Sequence, residues 1–241
     1  MPERIKEQAE TWVRSIQLPE ETDSYKPVSH GSLIATLESK LLEKGLIPTQ
    51  KRYSTAKGGQ ELFGMWALGD RDSMQVGDQQ LAINFVNSYN KHLKLSLIPG
   101  LLTKICSNGA MSRMAIATFD RKHTGSINEE FPIFIESSLE GMHTLYEKML
   151  SDFAKLKEVS LNKKLMSELA GRLFIKEDLI TAEQVSLLKR EIEKPTFDQF
   201  IPENAYSFYQ HCTWSIRKSS PSEVIDRYTG IHEFITHEFA L

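Results

Sequence analysis

The chain has 241 residues, of which 40% are hydrophobic and 25% are charged, and its formal net charge is −3. This composition is typical of a globular protein with enough apolar material for a core, and it argues against a disordered or fibrous chain. Two cysteines, Cys106 and Cys212, form no disulfide framework, and no apolar run approaches the roughly 20 residues that cross a bilayer. We therefore expect a soluble protein of a reducing cytoplasm, with no membrane partner.

The N-terminal part of the chain contains two helix signals separated by a polar segment. Residues 1–17 could form a short helix, and residues 18–27 have the polar, proline-containing composition of a linker or arm. Ser32 can cap a helix over residues 33–44, and Gly45 can end it. We predict an N-terminal helix, arm and linker over residues 1–29, followed by one domain over residues 30–241.

From Leu46 the apolar period changes to that of strands. Residues 46–69 predict a hairpin, because Gly58 and Gly59 can adopt the positive φ of a tight turn. Two further strands flank a polar turn at Asn90 and Lys91. Turn signals predict two more breaks in the chain, at Pro99-Gly100 and at Ser107-Asn108-Gly109. The strand-rich block, residues 46–124, thus predicts a meander of about five strands.

The C-terminal part has helical spacing throughout residues 135–238. A long helix is predicted from Glu136, and residues 205–218 predict another. Predicted helix starts are Ser160, the capping box of Thr181 with Gln184, and Ser220 with Pro221 and Glu223. Residues 193–204 are predicted to form a loop that packs onto the body.

Helices and strands are segregated along the chain, which argues against a doubly wound parallel sheet. We predict an α+β fold with a central antiparallel sheet over about residues 46–119. An N-terminal helix and a C-terminal helical half flank that sheet.

Positive charge is concentrated between residues 81 and 124. This segment carries six Lys and Arg residues and one acid, Asp120, so its net charge is +5 and the rest of the chain sums to −8. Such asymmetry favours a binding surface for an anionic partner. The nucleic-acid-binding residues predicted from this segment are Asn87, Tyr89, Lys91, Lys94, Lys104, Arg113, Arg121, Lys122 and His123.

Two interpretations of this charge remain open. A single strand would be held by these cations together with His92, while Tyr89, or Tyr53 beside Lys51 and Arg52, would stack on bases. Alternatively, cations alternate with apolar residues because one sheet face meets water. A duplex-specific protein is less favoured, since residues 222–235 lack a basic recognition helix.

Catalytic and metal signals are weak. Cys106 and His123 could form a nucleophile and base. A small core residue is the favoured interpretation of Cys106, because no oxyanion donor or orienting acid is identifiable. Cysteine and histidine spacing is wrong for a zinc site, and Lys57-Gly58-Gly59 lacks the pattern of a phosphate loop. The carboxylates Asp70, Asp72, Glu129 and Glu130 fit ordinary turns. We predict no cofactor.

Three motifs carry a resemblance to a known family. They are Asn87-Ser88-Tyr89-Asn90-Lys91, Ile105-Cys106-Ser107-Asn108-Gly109 and Arg121-Lys122-His123-Thr124. Their order and spacing resemble the central signature of the phage and plasmid-like domain of unknown function family 932. The resemblance extends over about residues 25–236, with Asn90 and His92 where the family pattern has Asp and Ser.

The resemblance implies an accessory protein of a phage or plasmid, made in a bacterial cytoplasm, and it implies no mechanism. One hypothesis is a nucleic-acid binder, with single strands preferred, whose helices could form a homo-oligomer. A second is a protein that docks to a host nuclease or defence complex through aromatic anchors in its arm, Trp12 and Tyr25, or within residues 195–210. Burial in the core is the favoured alternative for these aromatic residues. A third is an enzyme that uses Cys106 and His123.

Overall fold

A computed structural model describes residues 6–69, 75–76, 79–103, 108–111, 119–220 and 222–241. In these ranges the helices are α1 (Glu10–Ser15), α2 (His30–Glu43), α3 (Ile127–Glu140), α4 (Met142–Glu158), α5 (Lys163–Ile175), α6 (Ala182–Glu193), α7 (Ala205–Ile216) and α8 (Val224–Glu238). The strands are β1 (Lys6–Glu7), β2 (Ile47–Ala56), β3 (Glu61–Gly69), β4 (Gln75–Val76), β5 (Gln79–Ser88), β6 (Leu95–Thr103), β7 (Asn108–Met111) and β8 (Phe119–Arg121).

The strands form one antiparallel sheet. Its order is β1-β2-β3-β5-β6-β7, with β4 paired to β5 and β8 paired to β6. Strands that follow one another in the chain are mostly neighbours, as expected when short turns connect them. The helices lie before and after the central strands, so the predicted α+β class is confirmed.

The first hairpin forms as predicted. Strands β2 and β3 pair from Ala56 opposite Glu61, and the turn between them contains Gly58 at φ 66° and Gly59 at φ 94°. Residues with a Cβ rarely adopt these angles, so the two glycines give the chain its sharp reversal.

The predicted break at Pro99-Gly100 was wrong. Both residues lie inside β6, where Pro99 is opposite Ile83 of β5. On the other side of β6, the pairing with β8 ends at Leu97 and the pairing with β7 begins at Gly100. Proline has no N–H to donate, and it is tolerated here because it lies between those two ladders.

The sequence predicted which segments are helical better than it predicted where each helix begins and ends. The capping box of Thr181 and Gln184 is confirmed, but the predicted long helix from Glu136 is two helices that meet at Gly141. The N-terminal helix is also shorter than predicted, because Lys6 and Glu7 pair with β2 instead. The N-cap residues that replace the predicted ones are Ser29 for α2, Asn162 for α5 and Glu223 for α8.

Strands β3, β5 and β6 are buried at every residue. Successive side chains of a strand point to opposite faces, so both faces of the sheet are covered along these strands. Along these three strands, therefore, no sheet face meets water. Lys91, Lys94 and Lys122, which are exposed, lie outside these strands.

Candidate functional site

Three sequence segments meet at one end of the sheet, around Tyr25. The Tyr25 hydroxyl donates a hydrogen bond to the Ser88 carbonyl at 3.3 Å, and the Lys91 Nζ lies 4.7 Å from the centre of its ring. The ring of His123 is 6.0 Å away, and the backbone N–H of Lys26 donates to the His123 carbonyl at 2.9 Å. Tyr25 thus joins the turn after β5 to the segment after β8.

A buried hydrogen-bond network fixes the base of this turn. The amide nitrogen of Asn87 donates to the Val28 carbonyl at 2.8 Å and contacts His30 Nδ1 at 2.9 Å. Since Asn87 supplies the proton, His30 Nδ1 is the acceptor, and its Nε2–H donates to the Gly59 carbonyl at 3.0 Å. Burial lowers the pKa of His30 to about 4, which keeps this neutral tautomer at neutral pH. Asn87 is therefore a buried organising residue.

Tyr89 connects the same turn to α2. Its ring stacks on the imidazole of His30, and its hydroxyl accepts a hydrogen bond from the His30 backbone N–H at 2.7 Å. That N–H is one of the first-turn donors that a helix cannot satisfy internally. The chain then reverses at Lys91, whose φ of 65° is unusual for a residue with a side chain.

His123 is almost fully buried, at 4% exposure. Neither of its ring nitrogens has a hydrogen-bond partner in the part of the chain that the structure describes, and the same is true of Asn87 Oδ1. Burial lowers the pKa of His123 to about 4. Its proposed partner Cys106 lies outside the described residues, as do the predicted cations Lys104 and Arg113.

Three of the predicted cations lie exposed at this end of the sheet: Lys91, Lys94 and Lys122. Leu95 pairs with Arg121, so Lys94 and Lys122 each extend one residue beyond the same end of the β6–β8 ladder. Within the described ranges, none of the three lysines has a carboxylate within ion-pair distance. They form the lysine cluster of this surface.

Two other predicted basic residues that the structure describes, Arg121 and His92, lie beside carboxylates. Arg121 forms an ion pair with Glu130 at 2.8 Å. His92 is exposed, and its Nδ1 lies 3.5 Å from the Glu61 carboxylate, which also accepts a hydrogen bond from the Asn90 amide at 2.7 Å. Glu61 therefore braces the turn that carries Lys91.

The predicted stacking and docking aromatics are mostly buried. Tyr53 is 2% exposed and its hydroxyl donates to Glu10, while Tyr89 is already stacked on His30. Among the predicted docking anchors, Trp12 is 40% exposed. The buried anchors are Tyr25, Phe200, Tyr206, Phe208 and Tyr209.

The structure describes only two of the four carboxylates that were weighed as metal ligands. Asp70 and Asp72 lie outside the described residues, and Glu129 and Glu130 lie in the first turn of α3. No group of three potential metal ligands occurs among the residues that the structure describes. No helix in the same ranges is long and apolar enough to span a membrane.

Two residues of this site, His30 and Glu61, had no predicted role. Tyr25 was a docking anchor only under the second hypothesis, and its burial agrees with the core position that the sequence favoured. The contacts of these three residues are with residues about 30 to 100 positions away in the chain, which local spacing does not show. The only signal was that Tyr25 and His30 lie in the YKPVSH segment before α2.

Comparison with known protein families gives a match over most of the chain. Residues 18–210 match a family model whose description is "Domain of unknown function (DUF932)". This range contains Tyr25, His30 and the lysine cluster. Neither the curated proteins nor the solved structures include a significant match.

Proposed function

This chain belongs to the DUF932 family, a domain of unknown function, and we propose that it binds nucleic acid through the lysine cluster, with single strands preferred to duplex. The observation that carries the proposal is that Lys91, Lys94 and Lys122 share one exposed end of the sheet without a carboxylate partner in the described ranges. The chain as a whole has a net charge of −3. A role as an accessory protein of a phage or plasmid is part of this proposal.

Electrostatics support a phosphate-bearing ligand. Neighbouring lysines without acidic partners repel one another, and a polyanion removes that repulsion while it releases its condensed counterions. Lys91 is also held in place, because its ammonium group lies over the Tyr25 ring. A cation that is already positioned loses less conformational entropy when it binds phosphate.

The shape of the surface favours a single strand. Proteins that read duplex DNA insert a helix or a β-ribbon into the major groove. The lysine cluster instead lies on a turn and on the residues next to strand ends. A flexible single strand can follow such an irregular surface.

The test is equilibrium binding of fluorescent single-stranded DNA, duplex DNA and RNA across a salt series. The variant is Lys91→Glu/Lys94→Glu/Lys122→Glu. The matched control is Lys164→Glu/Lys176→Glu/Lys189→Glu, which makes the same change in net charge at lysines that are 71–87% exposed on the helical half.

We expect micromolar or tighter binding by the wild type, with an affinity that falls steeply as salt rises. The cluster variant should lose this binding, whereas the control variant should lose only a small part of it through net charge. Equal losses in the two variants would show a nonspecific charge effect. Absence of binding at low salt would exclude the proposal and favour the alternative of a host protein partner.

A further inference from the structure

An open cleft of about 420 Å³ lies beside the lysine cluster, between α1 and the turn that joins β2 to β3. Trp12 and Ile16 form its α1 side, and Gly58 and Gln60 form its turn side. Tyr89 lies at the junction of the cleft and the cluster, since Lys91 follows it by two residues. A ligand that contacts Lys91 can therefore extend into the cleft.

The lining of the cleft is uncharged. It combines two aromatic side chains, Trp12 and Tyr89, with the amides of Gln17 and Gln60. Trp12 is 40% exposed, which leaves much of its ring open to a ligand. Both glutamines are exposed, and neither side-chain amide has a hydrogen-bond partner in the described part of the chain.

We propose that this cleft takes one nucleobase of a single-stranded nucleic acid whose phosphates contact the lysine cluster. This inference rests on the proposed function and extends it from charge attraction to recognition of the base. A nucleobase is flat, uncharged and rich in donors and acceptors, so it matches an aromatic face flanked by amides. A phosphate would find no cation among the lining residues.

The position of Trp12 is set by close packing against the turn. A Cβ added at Gly59 would lie 2.7 Å from Ile16 Cδ1 and 3.1 Å from Trp12 Cη2. Only a residue without a side chain allows α1 to approach the turn this closely. The aromatic platform is therefore held in place before a base arrives, which lowers the entropic cost of binding.

The experiment compares a single-stranded oligonucleotide with an abasic phosphodiester strand of the same length. Both are titrated into the wild type, Trp12→Ala and Trp12→Phe. We expect the wild type to bind the base-containing strand about tenfold more tightly, because stacking of one base on an aromatic side chain has this magnitude. The ratio should fall to about one in Trp12→Ala and be largely retained in Trp12→Phe.

Equal affinity of the wild type for the two strands, or an unchanged ratio in Trp12→Ala, would overturn the base pocket while leaving charge-driven binding intact. If neither strand binds, the proposed function fails. The cleft is then tested separately, by titration of uncharged nucleosides into the wild type and Trp12→Phe. Saturable quenching of tryptophan emission that is absent in Trp12→Phe would then support a base site. Absence of such quenching would overturn it.

Discussion

The ring of Tyr89 lies parallel to the imidazole of His30, with centroids 3.9 Å apart and an interplanar angle of 8°. The Tyr89 hydroxyl also accepts a hydrogen bond from the backbone N–H of His30. One side chain therefore joins the start of α2 to the turn that presents Lys91. The position of Lys91 therefore depends on this junction as well as on the sheet.

Substitutions at Tyr89 should separate the stack from the hydrogen bond. Tyr89→Phe keeps the ring but leaves the buried His30 N–H without its acceptor, so we expect a loss of about 1–2 kcal/mol in unfolding free energy. Tyr89→Ala also removes a buried ring and should cost about 3–5 kcal/mol. Urea unfolding measures both values. Equal costs for the two variants would mean that the stack contributes nothing.

Stability should fall as pH falls from about 6.5 to about 4. Burial lowers the pKa of His30 and of His123 from 6.5 to about 4 in the folded protein. In this window the unfolded chain binds more protons than the folded one, so protonation favours unfolding. Each such histidine should contribute a slope of up to about 1.4 kcal/mol per pH unit. Denaturant unfolding at a series of pH values measures the slope.

The variant His123→Phe tests how much His123 contributes to the dependence of unfolding free energy on pH. The variant removes a buried imidazole whose nitrogens lack partners in the described residues, so we expect a smaller slope and greater stability than the wild type at pH 5. His143→Gln is the control, because His143 is 67% exposed on α4. An unchanged slope in His123→Phe would contradict the assignment of His123 as a buried neutral group.

Local sequence patterns predicted the elements that depend on local physics. The Gly58-Gly59 turn and the Thr181–Gln184 capping box are decided by conformations and hydrogen bonds within a few residues, and both formed as expected. The break at Pro99 failed because the tolerance for proline there depends on where two other strands stop pairing. That information is not local.

The site was predicted only as a region. Charge counting located Lys91, Lys94 and Lys122, because charge is a property of composition. It did not show that Tyr25 would be buried beneath Lys91, or that His30 would meet Asn87, since these contacts join residues 57 to 66 positions apart. The roles of Tyr25, His30 and Asn87 depend on burial and on contacts between residues that are distant in the sequence.

Alanine substitutions at two glycines, Gly64 and Gly171, should change the stability of the protein in opposite directions. Gly64 of β3 is opposite Phe85, and a Cβ there would lie 2.1 Å from the Phe85 ring, so Gly64→Ala should destabilise the protein by about 1–3 kcal/mol or more. A Cβ at Gly171 of α5 meets no atom within 4 Å. Gly171→Ala should therefore stabilise by about 0.5–1 kcal/mol through helix propensity. Thermal or urea unfolding of both variants checks the signs, and a stabilising Gly64→Ala would contradict the ring contact.

Lys91 offers a way to remove charge without weakening the fold. Its φ of 65° is unfavourable for lysine and for alanine but not for glycine. Lys91→Gly loses the contact with the Tyr25 ring but gains about 1 kcal/mol of relieved strain, so its stability should stay near that of the wild type. Lys91→Ala loses the contact without that relief and should be about 1 kcal/mol less stable than Lys91→Gly.

Both Lys91 variants lack the same positive charge, so both should lose single-strand affinity to a similar extent, with a shallower salt dependence than the wild type. Urea unfolding and fluorescent DNA titration, carried out on the same preparations, compare the two effects. Because the variants differ in stability but not in charge, an affinity loss seen only in Lys91→Ala would assign the effect to the fold of the turn. A matching loss in Lys91→Gly would assign it to the ammonium group itself.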